Sequence, residues 1–98
     1  MMELIEDKIF DRVDFAKSPL GICEYDSCTF KHCVFTANSL AGSTLIDCVF
    51  EHCDLSNLKF THTSFKQVNF KGCKMIGLRF DECNPSLISF NFEDCTLS

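Results

Sequence analysis

Cys23, Cys28, Cys33, Cys48, Cys53, Cys73, Cys83 and Cys95 are the residues of this 98-residue chain best equipped to do chemistry. Thiolates hold zinc when they converge as a tetrahedron, which sequences announce by spacings such as C-x2-C. The commonest spacing here is C-x4-C. A disulfide framework is the other use of so many cysteines in a short chain, and it belongs to secreted proteins. The opening MMELIEDKIF is charged and lacks the apolar core of a signal peptide. Reduced thiols in a cytoplasmic chain are therefore expected. Other reactive groups are sparse. His32 and His52 lie twenty apart, His62 sits alone, and Asp47, Glu51 and Asp54 fall close together. The chain has no G-x-S-x-G, no glycine-rich phosphate loop and no H-E-x-x-H. Neither a catalytic centre, a metal site nor a cofactor is expected.

The cysteines make sense only as part of a larger pattern. Phe10, Phe15, Leu20, Tyr25, Phe30, Phe35, Leu40, Leu45, Phe50, Leu55, Phe60, Phe65, Phe70, Met75 and Phe80 fall every fifth residue, and all are large and apolar or aromatic. With 46% of the chain hydrophobic, chance would fill about half of these positions. Two residues before each large one stands a mostly small residue; Cys23, Cys28, Cys33, Cys48, Cys53 and Cys73 occupy such positions, and Cys83 continues the same fivefold count. Five is neither the 3.6 of a helix nor the 2 of a strand. It suits one side of a square coil. A short extended piece sends the large residue and the one two before it inward, and the chain then turns a corner. Four sides make a twenty-residue coil, and coils stack at the ~4.8 Å spacing of paired strands.

Residues twenty apart should then match. Phe10, Phe30, Phe50 and Phe70 form one column, and Leu20, Leu40, Phe60 and Phe80 another. Cys33, Cys53 and Cys73 form a third above Val13. Parallel side chains in such a column are poorly placed for disulfide or metal geometry, and buried Cys behaves as a small hydrophobe. Outside, Asp11, Lys31, Glu51 and Lys71 alternate in sign.

The pattern resembles the pentapeptide-repeat family, whose repeat is summarised as Ala-Asp/Asn-Leu-x-x. The matching segments are CDLSN (53–57), CTFKH (28–32), CVFEH (48–52) and VNFKG (68–72). The resemblance covers essentially the whole chain. It implies an all-β, right-handed quadrilateral β-helix, here of about four to five coils, with Cys replacing the commoner Ala. Residues 1–9 would lay a partial first side and cap the helix, and 10–82 would hold the regular repeats. After Phe80 the spacing breaks: Leu87, Phe92 and Leu97 are again five apart, but Leu87 follows Phe80 by seven. Two residues are inserted, and CNPSL (83–87) carries an Asn-Pro turn signal. A bulge near 83–87 is expected, with repeats resuming over 88–98, Phe92 continuing the Phe column and Cys95 the cysteine column. The repeat runs to Ser98 without a capping element. Solenoid ends need covering, so either further chain or a second copy in a homodimer is expected there.

Charge is what such a shaft can show to other molecules. The net charge is −5, which disfavours direct binding of nucleic acid or anionic membrane. No apolar run nears the ~18 residues of a membrane span. Residues 1–58 hold ten acids and four bases, whereas Lys59, Lys66, Lys71, Lys74 and Arg79 form a basic band without acids. A rod bearing regularly spaced carboxylates can imitate the charge lattice of duplex DNA. The opening IEDKIFDRVDF (5–15) is similar to the quinolone-resistance subset of the family, which binds DNA gyrase and topoisomerase IV. That resemblance implies a non-enzymatic bacterial DNA mimic, with Asp11, Asp14, Glu24, Asp26, Asp47, Glu51 and Asp54 as phosphate surrogates. The alternative is a structural or interaction scaffold unrelated to topoisomerases.

Overall fold

Among the described residues, ten strands, all paired in parallel, build the structure. The computed structural model describes residues 3–15, 22–35, 40, 42–56, 58, 62–76 and 88–97, with the backbone alone described at 88–90 and 97. On a first side of the coil, β1 (Glu3–Glu6), β3 (Cys23–Asp26), β5 (Thr44–Ile46) and β7 (Ser64–Lys71) stack in order. On a second side, β2 (Ile9–Asp11), β4 (Thr29–Lys31), β6 (Val49–Glu51) and the latter part of β7 stack, with β9 (Ile88–Glu93) above. A third side joins Asp14, Val34, Asp54 and Lys74 by single bridges and ends in β8 (Lys74–Met75) under β10 (Thr96–Leu97). Leu40 and Leu58, between the third side and the next coil's first, are buried. The fold is the β-solenoid that the fivefold spacing predicts.

Register is what the twenty-residue coil requires. Phe10 stands opposite Phe30, Phe30 opposite Phe50, and Phe50 opposite Phe70. Their rings stack face to face, with centroids 4.9, 4.7 and 5.0 Å apart. Phe92 adds a fifth ring 5.5 Å from Phe70. Neighbouring columns meet these rings edge-on, as Phe35 meets Phe50 at 62°. Aromatic pairs of this kind contribute about 0.5–1.5 kcal/mol each beyond their buried area. At the bottom, the Lys8 ammonium stands 5.2 Å from the Phe10 ring centre, within cation–π range.

Corners make the short sides possible. Asp7, Ser27, Asp47 and Gln67 turn the chain from the first side to the second, and all are left-handed, with φ of 52° to 58°. Arg12, His32, His52, Gly72 and Asp94 do the same between the second and third sides. A left-handed residue costs roughly 1–2 kcal/mol unless it is glycine. Hydrogen bonds offset the cost: the corner amides of Asp7, Ser27 and Asp47 donate to Asp26, Ile46 and Lys66 carbonyls in the coil above, at 2.9–3.0 Å. The amides of Arg12, His32, His52 and Gly72 do likewise at 2.8–2.9 Å. Gly72 also makes room for a ring, since a Cβ there would lie 2.6 Å from His52 Nδ1.

Beyond the fourth coil the register moves. Phe70 pairs with Phe92 and Lys74 with Thr96, which is the two-residue insertion. Ile88, rather than Leu87, stands opposite Phe65, and an irregularity between Phe65 and Val68 absorbs the difference. Leu87 and the rest of 83–87 lie outside the described residues, as do Leu20, Phe60 and Phe80. Of the other large inward residues, Phe15, Tyr25, Phe30, Phe35, Leu40, Leu45, Phe50, Leu55, Phe65, Phe70 and Met75 are buried and Phe10 is half-buried. Phe92 is 39% exposed, because on the second side it forms the top ring of its column among the described residues.

Tyr25 departs from its apolar column. It is fully buried, and its hydroxyl finds no hydrogen-bond partner among the described residues. Burial first, and then the nearby Cys23 thiol, pushes its pKa well above the ordinary phenol value.

Two substitutions test this packing by denaturant unfolding. Phe50→Ala, which removes a ring from between two others, should cost about 3–5 kcal/mol, and Phe92→Ala much less. Equal losses would contradict the column. Tyr25→Phe should leave stability unchanged or raise it by about 1 kcal/mol, because an unsatisfied buried hydroxyl is removed. A clear loss of stability would mean that the hydroxyl has a partner.

Candidate protein-docking surface

The thiols are the first candidates to place. Cys23, Cys28, Cys33, Cys48, Cys53 and Cys73 are buried and free, Cys95 is partly buried and free, and Cys83 lies outside the described residues. Their role goes beyond small size. Cys33 Sγ donates to the Phe10 carbonyl, Cys53 Sγ to Phe30 and Cys73 Sγ to Phe50, at 3.2–3.3 Å. Cys95 Sγ, one coil higher, donates to Phe70 at 3.2 Å. Cys28 and Cys48 reach the Ile5 and Tyr25 carbonyls at 3.5 and 3.4 Å. Thr63 fills an equivalent place, its hydroxyl donating to the Leu40 carbonyl at 2.8 Å. Each is a side-chain donor aimed at the carbonyl of a large inward residue in the coil below. An alanine could not make that bond.

Burial holds the proton on two of these thiols, Cys48 and Cys33, while contact within the Cys53–Cys73 pair raises Cys53 and lowers Cys73. Burial pushes Cys48 from 9.0 up to about 12, against weaker opposing hydrogen bonds from the backbone. It also raises Cys33. The Cys53 thiol is raised by its contact with Cys73 and by burial. Protonated, buried thiols are poor nucleophiles and poor metal ligands. Among the described residues, no group of three or more His, Cys, Asp or Glu is placed to hold a metal ion. His32 and His52 stack at 5.3 Å on their exposed corner.

The acids divide by side. Glu24 and Asp26 lie on the first side, and Asp47 on the corner that follows it. Asp11 and Glu51 lie on the second side, and Asp14 and Asp54 on the third. The seven candidates therefore share no single face. Two acids missing from that set join the first group. Glu6 is the register partner of Asp26, and Asp7 begins the corner column that contains Asp47. The twenty-residue spacing from Glu6 to Asp26 is the sequence signal for this pair.

The two sides differ in electrostatic logic. On the second side, Asp11, Lys31, Glu51, Lys71 and Glu93 are successive register partners, so charge alternates at every step. On the first side, Glu6 stands under Asp26 with Glu24 beside them. Like charges directly opposite on paired strands are destabilising. Leu4, 50% exposed, and half-buried Ile46 lie on that same side. Above Ile46 the register partner is Lys66, part of the basic band, with Lys71 on the second side and Lys74 on the third. The first side thus offers fixed carboxylates and a little apolar surface, on a frame with no helix among the described residues long and apolar enough to cross a membrane.

Alkaline titration reads the buried thiols. A folded-state pKa above the unfolded value means that the folded protein holds its protons longer. Stability is then complete below pH about 8.5, where unfolded thiols ionise, and falls as pH rises through the folded values. Each such thiol should contribute a loss of about 1.4 kcal/mol per pH unit over that window. Thermal melts should show Tm falling above pH about 9, with a shallower fall in Cys48→Ala. A flat alkaline profile would contradict buried, protonated thiols.

The family model described as a pentapeptide repeat region matches residues 43–98. No curated protein matches the chain. Among solved structures, a trypsin-treated variant of QnrB1, a plasmid-mediated fluoroquinolone resistance protein, is 25% identical with a TM-score of 0.52, and the match covers 98% of this chain and 49% of that one. A second trypsin-treated variant of the same protein matches at 18% identity and a TM-score of 0.45, covering 99% of this chain and 54% of that one. The chain spans about half the length of these solved relatives. With its coil, its columns and more than half of its residues matched to that repeat, the chain belongs to the pentapeptide-repeat family.

Proposed function

We propose that this protein is a non-enzymatic interaction rod, whose acidic lower coils imitate duplex DNA for a protein that grips DNA through a basic groove. DNA gyrase or topoisomerase IV is the partner this reading names, and protection from fluoroquinolones is the outcome. The observation that carries it is the like-charge stack of Glu6 and Asp26 with Glu24 alongside, held at fixed spacing by a rigid, solidly filled coil. Such an arrangement costs stability in isolation and becomes favourable against a basic surface. The similarity to QnrB1, a fluoroquinolone resistance protein, supports the choice of partner.

The second reading, a scaffold for an unrelated partner, draws on the basic band around Lys66, Lys71 and Lys74, which interrupts the acidic surface. Gyrase supercoiling assays separate the two. The DNA-mimic reading expects this protein to inhibit supercoiling or to relieve fluoroquinolone inhibition, with an effect that weakens as salt rises. Neither inhibition nor relief at any salt would leave the scaffold reading standing.

A further inference from the structure

Every coil of this rod presents several sides to solvent, and nothing in a DNA-mimic reading says which one meets the partner. The register does. We infer that docking is one-sided: the first side, with Leu4, Glu6, Glu24, Asp26 and Ile46, and its edge at Asp7 and Asp47 face a basic protein groove, the second and third sides face solvent, and Lys66 ends the docking stretch. This rests on the proposed function and adds an orientation to it.

Three contrasts carry the inference. Charge on the second side is already compensated within the molecule, since each of Asp11, Lys31, Glu51, Lys71 and Glu93 has an opposite charge as its register partner. A basic groove laid there would meet a lysine beside each acid. On the third side, Asp54 stands in bridge register between Val34 and Lys74. Among the described residues only the first side stacks acid on acid, Glu6 under Asp26, and below Lys66 no base lies among its outward residues; Lys8, next to Asp7, sits against the Phe10 ring at the bottom of the second side. The second contrast is composition. Leu4, at 50% exposure, and half-buried Ile46 flank the acids, giving the mixture of charge and apolar contact that a protein groove accepts. The third is Lys66. It continues the outward column Glu6, Asp26, Ile46 and reverses its sign, so a partner that tracks carboxylates along this side meets repulsion at the fourth coil.

Because Lys66, Lys71 and Lys74 occupy one coil on three different sides, they allow a matched experiment. Lys66→Glu, Lys71→Glu and Lys74→Glu change the net charge identically and differ only in direction. Affinity for gyrase would be measured by titration calorimetry, with circular dichroism to confirm that each variant folds. One-sided docking expects Lys66→Glu to tighten binding about fivefold and Lys71→Glu and Lys74→Glu to stay within about twofold, where ~1.4 kcal/mol corresponds to tenfold. Asp26→Asn should weaken binding about tenfold and Glu51→Gln should not. Equal effects from the three lysine reversals would overturn the inference while leaving gyrase binding intact. A second arm needs no gyrase. Decalysine titrated into isotope-labelled protein should shift the amide resonances of Glu6, Glu24, Asp26 and Asp47 well ahead of those of Lys31 and Glu51. That result without gyrase binding would retain the one-sided face and reject the named partner, whereas equal shifts on both sides would reject the face.

Discussion

Everything in this molecule depends on one constraint: residues twenty apart must lie directly over one another. Parallel strands on successive coils pair only when each coil has the same length, and ring stacks form only when each level supplies a ring. Phe10, Phe30, Phe50 and Phe70 satisfy both conditions at once. The corners are the weak points of such a design, because left-handed backbone is costly at Asp, Ser, Gln and His. They hold because corner amides donate to carbonyls of the coil above. The thiols and Thr63 tie each coil to the one below by side-chain bonds to its carbonyls. Backbone ladder, ring column and thiol column therefore reinforce a single register.

The same constraint governs the surface. A register that stacks inward residues also stacks outward ones, so every external charge has a defined neighbour about 4.8 Å away. Evenly alternating charges on one side neutralise one another and leave little field. Like charges on another side project theirs. A globular protein reaches this difference through irregular placement, whereas in a solenoid it follows from the sign of residues at i and i+20. The chemically reactive residues follow a different rule. Six of the cysteines are sealed inside, and at Cys48 burial holds the proton on while the Tyr25 carbonyl accepts the hydrogen bond.

Much of this was legible in the sequence, because five- and twenty-residue periods in large residues have few other physical explanations. The columns through Phe30 and Cys33 and the two-residue insertion before Phe92 could be counted without coordinates. Three things could not. The hydrogen-bonding role of Cys33, Cys53 and Cys73 was hidden because a small inward residue looks the same whether or not it donates. The pairing of Phe65 with Ile88 depends on how a strand absorbs an irregularity, which spacing does not encode. The sidedness of the acids depends on which outward residues share a side of the coil, which charge counted along the chain does not show; β1 lies in full register with β3 and sets Glu6 under Asp26. Candidates chosen for charge alone, such as Asp11 and Glu51, fell on a side where lysines compensate them.

The register itself can be measured directly. Nuclear Overhauser contacts in solution should link the ring of Phe30 to those of Phe10 and Phe50, and the Phe50 ring to that of Phe70, each pair twenty residues apart. Contacts dominated by neighbours three or four residues along the chain, with none at twenty, would contradict the stacked coil and everything built on it.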